Sequence, residues 1–189
     1  MSAQDELSAV IERVIAVFLR LDISYLITGS FASSLHGEFR ATNDLDCLAA
    51  LDRRLVGALL QDLESDFIVD LNQATAALAE GTSFNLIHRG TLLKVDVFPA
   101  RTAFDREALE RAEPVELPGT TTRLRVATKE DILLAKLRWY RLGVEQSERQ
   151  LRDIRSLVSL NREDLDRPYL TRWAEALGVA DLLDRVLGA

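Results

Sequence analysis

The sequence predicts an α/β core followed by a C-terminal helical segment. Two observations predict this class. Short β-branched and aromatic runs alternate with helical apolar stripes over about the first 120 residues, and helical periodicity alone continues after them. We therefore expect a core over residues 1–122 and a helical subdomain over residues 123–189.

Composition narrows the class further. The 189 residues are 48% hydrophobic and 28% charged, which excludes bulk disorder and a fibrous repeat. The net charge of −7 argues against nonspecific coating of DNA, and a single cysteine, Cys47, excludes an internal disulfide. Because no signal peptide and no run of roughly 18 apolar residues is found, we expect a cytoplasmic protein without a membrane span.

Each element of the core follows from its local pattern. Residues 4–21 carry one apolar stripe, which predicts a helix, and Ile23–Thr28 predicts a strand that enters a tight turn at Gly29-Ser30. The remaining predictions are a helix over Ser30–His36, a strand over Asp44–Ala49, a helix over Asp52–Leu63, a short strand over Phe67–Leu71, and a hairpin of Phe84–His88 with Thr91–Phe98 around Arg89-Gly90.

The C-terminal segment begins after a mixed region. Residues 100–122 contain Pro114, Pro118 and Gly119, which indicate a loop or boundary. Thr128 with Asp131 is typical of a helix N-cap and opens a helix through Arg141. Further helices are predicted over residues 147–160, 168–177 and 180–187.

Three acidic residues in predicted strands suggest chemistry. Asp44 and Asp46 are two apart on one strand, so both carboxylates project from the same face, while Leu45 and Cys47 project from the other. Asp96 lies inside a second apolar strand. Considered alone, the Asp44 and Asp46 pair is typical of a solvated strand edge. Asp96 alone is typical of a carboxylate that has hydrogen-bond partners or lies at a sheet edge. Taken together, they suit Mg²⁺ or Mn²⁺, which prefer hard oxygen ligands and substrate phosphates.

The turn at Gly29-Ser30 could supply a phosphate site next to such metals. Glycine allows close backbone approach, and a helix that begins at Ser30 directs free N–H groups toward an anion. The Ser30 hydroxyl can add one more donor. A Gly-Ser pair alone usually makes only a turn or a cap, so its weight comes from the aspartates that follow.

These residues together resemble the signature of the nucleotidyltransferase superfamily, which has a polymerase-beta-like fold. Gly29-Ser30 is followed after thirteen residues by Asp44-Leu45-Asp46 and later by the strand residue Asp96. The run from Arg40 to Asp46 is similar to a bacterial branch of uncharacterised and abortive-infection-type members. The helical segment of that branch is matched by Glu130-Asp131, Lys136 and Asp153-Ile154, while Gln150 stands where an acidic residue is expected.

The resemblance implies a mixed sheet flanked by helices and a metal-dependent reaction. A nucleoside monophosphate would move from an NTP to an acceptor hydroxyl, with release of pyrophosphate. Asp44 and Asp46 would hold both Mg²⁺ or Mn²⁺ ions, and Asp96 would hold the catalytic ion and accept the hydroxyl proton. Gly29 and Ser30 would bind phosphate.

Three basic residues have two interpretations each. Arg40 could clamp a phosphate or neutralise the aspartate pair. Lys136 could reach the β- or γ-phosphate or lie on a solvated helix face. Lys94, two residues before Asp96, could touch a phosphate, although an ion pair with Asp96 is favoured.

The acceptor stays open among RNA, a protein hydroxyl and a small aminoglycoside-like molecule. Residues 120–155 carry nine Lys or Arg against five Asp or Glu, which could guide a polyanion, although helical ion pairing is favoured. Core packing is likewise favoured over base stacking for Trp139 and Trp173. The alternatives to an enzyme are an inactive nucleotide-binding or regulatory module of the same fold and a plain interaction protein. A cognate toxin or antitoxin protein of a defence system is a further expected partner.

Overall fold

The computed structural model describes residues 3–36, 44–117 and 120–188. The described helices are α1 (Ala3–Arg20), α2 (Gly29–His36), α3 (Val56–Leu63), α4 (Leu71–Glu80), α5 (Ala103–Arg111), α6 (Lys129–Leu142), α7 (Glu148–Asn161), α8 (Arg167–Ala176) and α9 (Ala180–Leu187). The described strands are β1 (Tyr25–Thr28), β2 (Asp44–Ala49), β3 (Phe67–Ile68), β4 (Phe84–His88), β5 (Lys94–Pro99), β6 (Glu113–Val115) and β7 (Leu124–Val126).

The strands of the described chain form one mixed sheet in the order β3-β4-β5-β2-β1-β7-β6. Strand β2 lies near its centre, antiparallel to β1 and parallel to β5. Strand β7 extends the sheet by pairing in parallel with β1. The fold is therefore the α/β class with a mixed sheet and flanking helices that the sequence and its resemblance predict.

Side-chain alternation along β2 separates the core from the candidate site. Leu45, Cys47 and Ala49 are buried on one face, in the same hydrophobic core as the apolar stripe of α1. Asp44 and Asp46 project from the opposite face, where Asp44 is exposed and Asp46 partly buried. The prediction that Cys47 is a core residue is confirmed, because it has no exposed surface.

Most predicted elements occur, with local differences. Strand β2 has the predicted bounds, β4 and β5 form the predicted hairpin, and all four C-terminal helices are found. The strand predicted over Phe67–Leu71 is limited to Phe67–Ile68, since Leu71 already begins α4. Neither α4 nor α5 is in the prediction. Strand β7 lies past residue 122 yet belongs to the sheet, and the division into two domains stays a prediction.

The C-terminal helices join the sheet through β7 and α6. The Thr128 hydroxyl accepts a hydrogen bond from the Asp131 N–H at 3.3 Å, which confirms the predicted N-cap of α6. From there α6 packs against α2, α7 and α8. None of the helices in the described ranges is long and apolar enough to cross a membrane.

Candidate active site

A row of polar side chains crosses four strands at the centre of the sheet. Asp46 on β2 is in register with Asp96 on β5, and the row continues to Thr28 on β1 and Asn85 on β4. Adjacent strands lie only about 4.8 Å apart, and residues in register project from the same face. The structure therefore brings Asp46 and Asp96 side by side, as the sequence predicts for a shared site.

A second row of residues in register contains the positively charged Lys94. Asp44 on β2 is in register with Lys94 on β5. The Lys94 ammonium lies 2.9 Å from the Asp96 carboxylate and 3.9 Å from the Asp44 carboxylate. The ion pair predicted between Lys94 and Asp96 is confirmed. We call Asp44, Asp46 and Asp96 the sheet carboxylates; Lys94 is the basic side chain that bridges two of them.

The sheet carboxylates repel one another, and Asp46 shows it most clearly. Burial raises the pKa of Asp46 to about 6, and the nearby charges of Asp96 and Asp44 act in the same direction. Two groups oppose this shift of the Asp46 pKa, namely the Lys94 ammonium and a hydrogen bond from the Ser30 backbone N–H. Asp46 thus carries a charge that its surroundings only partly offset.

The turn before α2 is built against Asp46. Gly29 has a φ of +67°, in the left-handed region that favours glycine. A Cβ at Gly29 would overlap the Asp46 carboxylate, so only glycine lets the backbone come this close. The Ser30 N–H then donates to that carboxylate from the first turn of α2. The predicted neighbourhood of Gly29, Ser30 and the aspartates is thereby present.

Lys136 is buried rather than solvated. Its side chain is 11% exposed and its ammonium lies 2.9 Å from the Asp153 carboxylate on α7. The solvated helix face considered for Lys136 is therefore wrong, and a role in phosphate binding stays a prediction. Arg40, the other predicted phosphate ligand, lies outside the described residues.

The donor chemistry of the sheet carboxylates fits a hard divalent cation, since three carboxylates share one sheet face. Among the described residues, however, no three His, Cys, Asp or Glu side chains are gathered into a ready metal site. The Lys94 ammonium already stands between Asp44 and Asp96. A divalent cation bound to the same carboxylates would compete with Lys94 or lie beside it.

Two neighbours of the site were not found from the sequence. Asn85 interrupts an apolar strand and is in register with Asp96, which only the hairpin register reveals. Trp139 on α6 is 53% exposed, so its predicted core packing is wrong. Its ring contacts Phe98 edge-on, with the centroids 6.3 Å apart, and Phe98 follows Asp96 by two residues on the same strand face. The other tryptophan, Trp173, packs against the core as predicted.

A second acidic pair has a structural role. Glu130 and Asp131 at the start of α6 are 4% and 3% exposed. The Arg111 guanidinium lies 3.4 Å from the Glu130 carboxylate and 3.7 Å from that of Asp131. The hydroxyls of Tyr169 and Thr128 donate to Asp131 at 2.5 and 2.8 Å. We call these five residues the buried acidic cluster; it connects α5, α6 and α8.

The fold and the site together define the class of protein. A solved nucleotidyltransferase-like antigen from Paracoccidioides brasiliensis aligns with 98% of this chain and 93% of its own, at 22% identity and a TM-score of 0.57. The adenylyl-tobramycin complex of ANT(2")-Ia aligns with 92% of this chain and 97% of its own, at 16% identity and a TM-score of 0.56. The lincosamide adenylyltransferase LnuA aligns with 85% of this chain and 98% of its own, at 14% identity and a TM-score of 0.52. These likenesses establish a nucleotidyltransferase fold.

The family follows from the sequence match. Residues 5–176 match the family described as nucleotidyltransferase of unknown function, DUF6036. The match spans most of the chain, and the protein belongs to this nucleotidyltransferase family. A comparison with curated proteins gave no match.

Proposed function

We propose that the protein is an active Mg²⁺-dependent nucleotidyltransferase that uses the sheet carboxylates. The observation that carries the proposal is the register of β2 with β5, which sets Asp46 beside Asp96 on one face, next to the start of α2. Family membership supports transfer of a nucleoside monophosphate in general. All three carboxylates that the resemblance requires are present, which favours an enzyme over an inactive nucleotide-binding module of the same fold.

The proposed reaction is a displacement at the α-phosphorus of an NTP. A bond forms between the acceptor oxygen and the α-phosphorus, and the bond from that phosphorus to the bridging oxygen of the β-phosphate breaks. Pyrophosphate leaves, and Asp96 takes the proton of the acceptor hydroxyl. Asp44, Asp46 and Asp96 would hold Mg²⁺, which when bound neutralises phosphate charge and makes the acceptor hydroxyl more acidic.

The phosphates would lie on the β1 side of the sheet carboxylates. Gly29 lets the backbone lie against the Asp46 carboxylate, and the first turn of α2 presents backbone N–H groups next to it for a phosphate. Lys136 contributes a positive charge from α6, released from Asp153 when phosphate competes for it. The proposed role of Arg40 is to neutralise phosphate from the segment before β2.

The donor and the acceptor are tested together. Each α-labelled NTP, beginning with ATP because ANT(2")-Ia and LnuA are adenylyl-transferring neighbours, is incubated with Mg²⁺ and mixtures of RNA, protein and aminoglycosides. We expect Asp46→Asn and Asp96→Asn to lower transfer by about 10³-fold. The control Asp164→Asn, at an exposed aspartate outside the site, should keep full activity.

Two results would contradict the proposal. Nucleotide binding without transfer to any acceptor would indicate the inactive module instead. Transfer that survives Asp46→Asn would place the chemistry elsewhere. A cognate toxin or antitoxin protein rests on the resemblance alone and stays a prediction.

A further inference from the structure

The arginines of α7 form an exposed basic surface. Arg149, Arg152 and Arg155 are spaced by three residues and are all exposed. Within the described part of the chain, none of the three makes an ion pair. The ion pairing expected to absorb the basic charge of residues 120–155 therefore does not reach these side chains.

The acidic residues of 120–155 that form ion pairs do so with residues other than the three α7 arginines. Glu130 and Asp131 are held by Arg111, which lies on α5 outside the stretch. Asp153 is held by Lys136, and Glu145 by both Arg141 and Arg185. Only Glu148 stands exposed among the α7 arginines. The surface is therefore locally positive in a chain whose net charge is −7.

An exposed aromatic ring lies next to this surface. Helices α6 and α7 are joined by a short loop and pack against each other, and Lys136 pairs with Asp153 across them. They therefore run antiparallel. Trp139 is one turn from Lys136 toward the loop, and Arg149 is one turn from Asp153 toward the same loop. Since the ion pair marks the side on which the helices meet, Trp139 and Arg149 lie on that same side.

The aromatic ring also connects the basic surface to the site. Trp139 contacts Phe98, and Phe98 follows Asp96 on the same face of β5. In the sheet, β2 lies between β5 and β1, and β1 leads into the proposed phosphate site at Gly29-Ser30. Strand β5 is therefore on the opposite side of β2 from the phosphates. A displacement needs its incoming group opposite the leaving pyrophosphate. The β5 side is therefore the acceptor side.

We propose that the acceptor is a single-stranded RNA that binds across Trp139, Arg149, Arg152 and Arg155, which we call the α6–α7 surface. Trp139 would stack on an unpaired base, and the three arginines, which turn by about 120° around α7 over about 9 Å of its length, would contact successive phosphates of a strand that curves around the helix. A terminal ribose hydroxyl would then lie near Asp96. A duplex offers no free base face for stacking, and a small molecule is too short to use all three arginines. This inference rests on the proposed nucleotidyl transfer.

Binding of a short fluorescein-labelled single-stranded RNA, followed by fluorescence anisotropy, tests the surface directly. For three phosphate contacts, affinity should fall roughly twentyfold between about 50 and 200 mM salt. The triple variant Arg149→Gln, Arg152→Gln, Arg155→Gln should remove most of that salt dependence. Trp139→Ala should weaken binding about tenfold with the salt slope unchanged, and Trp139→Phe should recover most of the loss.

The matched control is a triple variant with the same change of charge at exposed arginines outside the surface: Arg53→Gln, Arg106→Gln, Arg123→Gln. It should bind RNA like the wild type. No RNA binding by the wild type, equal loss in both triple variants, or equal affinity for duplex DNA would overturn the inference.

The transfer assay separates this inference from the proposed function. Asp46→Asn should bind RNA normally and fail to transfer. Transfer to a protein or an aminoglycoside without RNA binding would overturn the RNA inference and leave the proposed function standing. RNA binding through these four residues without transfer from any NTP would uphold the surface and overturn the proposed reaction.

Discussion

The molecule contains two groups of acidic side chains that look alike in sequence and differ in their surroundings. The sheet carboxylates share one face of β2 and β5, with Lys94 as their basic neighbour. The buried acidic cluster sets Glu130 and Asp131 among Arg111, Tyr169 and Thr128. In the first group like charges face each other, whereas in the second hydroxyl and guanidinium donors face the carboxylates.

The pKa directions show why burial alone does not mark a functional acid. Burial raises the pKa of both Asp46 and Asp131. After burial, the largest influence on the pKa of Asp46 is the charge of the neighbouring carboxylates, which raises it further. For Asp131 the hydrogen bonds from Tyr169 and Thr128 come next and lower the pKa, and the charge of Glu130, which raises it, matters less. A buried acid with donors stabilises the fold, and one beside other acids is suited to bind a cation.

The largest expected difference is in stability. Asp131→Ala would leave the buried Tyr169 hydroxyl without its partner and the Arg111 guanidinium with Glu130 alone, so the free energy of unfolding should fall by about 3 kcal/mol. Tyr169→Phe should cost about 1.5 kcal/mol, because it removes one hydrogen bond to a charged group. Urea denaturation measures both.

Asp46→Ala supplies the contrast. It removes a repelled carboxylate, and we expect an unchanged or higher free energy of unfolding together with lost transfer. If Asp46→Ala destabilised the protein as much as Asp131→Ala does, the distinction between the two groups would be wrong.

An intermediate effect is expected at Gly29. Gly29→Ala combines a positive φ with a Cβ that overlaps the Asp46 carboxylate. Gly178→Ala is the matched control, because Gly178 has a φ of +69° and open space around its Cβ. Both variants should lose about 1 kcal/mol of stability from backbone strain, and Gly29→Ala should lose more because its Cβ displaces the Asp46 carboxylate. Only Gly29→Ala should also lower transfer, by roughly ten- to hundredfold; equal activity in both variants would show that close approach to Asp46 is not needed.

Local patterns predicted most of this site. Strand parity alone places Asp44 and Asp46 opposite Cys47, and the structure agrees. The capping pair Thr128 and Asp131 likewise marks the start of α6. The same kind of signal was present and missed at Thr102 and Asp105, whose reciprocal capping box begins α5. Helix α4 also has local end signals, an N-cap at Asp70 and a left-handed Gly81.

Other features depend on pairing that no local pattern contains. Asn85 joins the polar row only because the β4–β5 register sets it opposite Asp96. Lys136 is buried because α7 brings Asp153 to it. Trp139 has apolar neighbours in sequence, yet more than half of the residue is exposed. Its ring contacts Phe98 edge-on. Tertiary packing decides each of these positions.

The smallest expected effect concerns the Lys94 ammonium, which lies among the sheet carboxylates. Lys94→Met keeps the length of the lysine carbon stem and removes the ammonium, which lies 2.9 Å from the Asp96 carboxylate. Without Mg²⁺ the variant should be slightly less stable, by up to about 1 kcal/mol, because the pair is partly exposed. With Mg²⁺ it should gain more thermal stability than the wild type, since the divalent ion no longer competes with Lys94.

Melting temperature over a Mg²⁺ titration measures this exchange, and Lys129→Met, at a lysine outside the pair, is the control. A larger Mg²⁺-dependent rise in Lys94→Met than in the wild type and the control would indicate that lysine and metal use the same carboxylates. An equal rise in all three proteins would mean that Mg²⁺ binds elsewhere or that Lys94 stays in place beside it. In that case the sheet carboxylates would resemble the buried acidic cluster, with the Lys94 ammonium as their permanent partner.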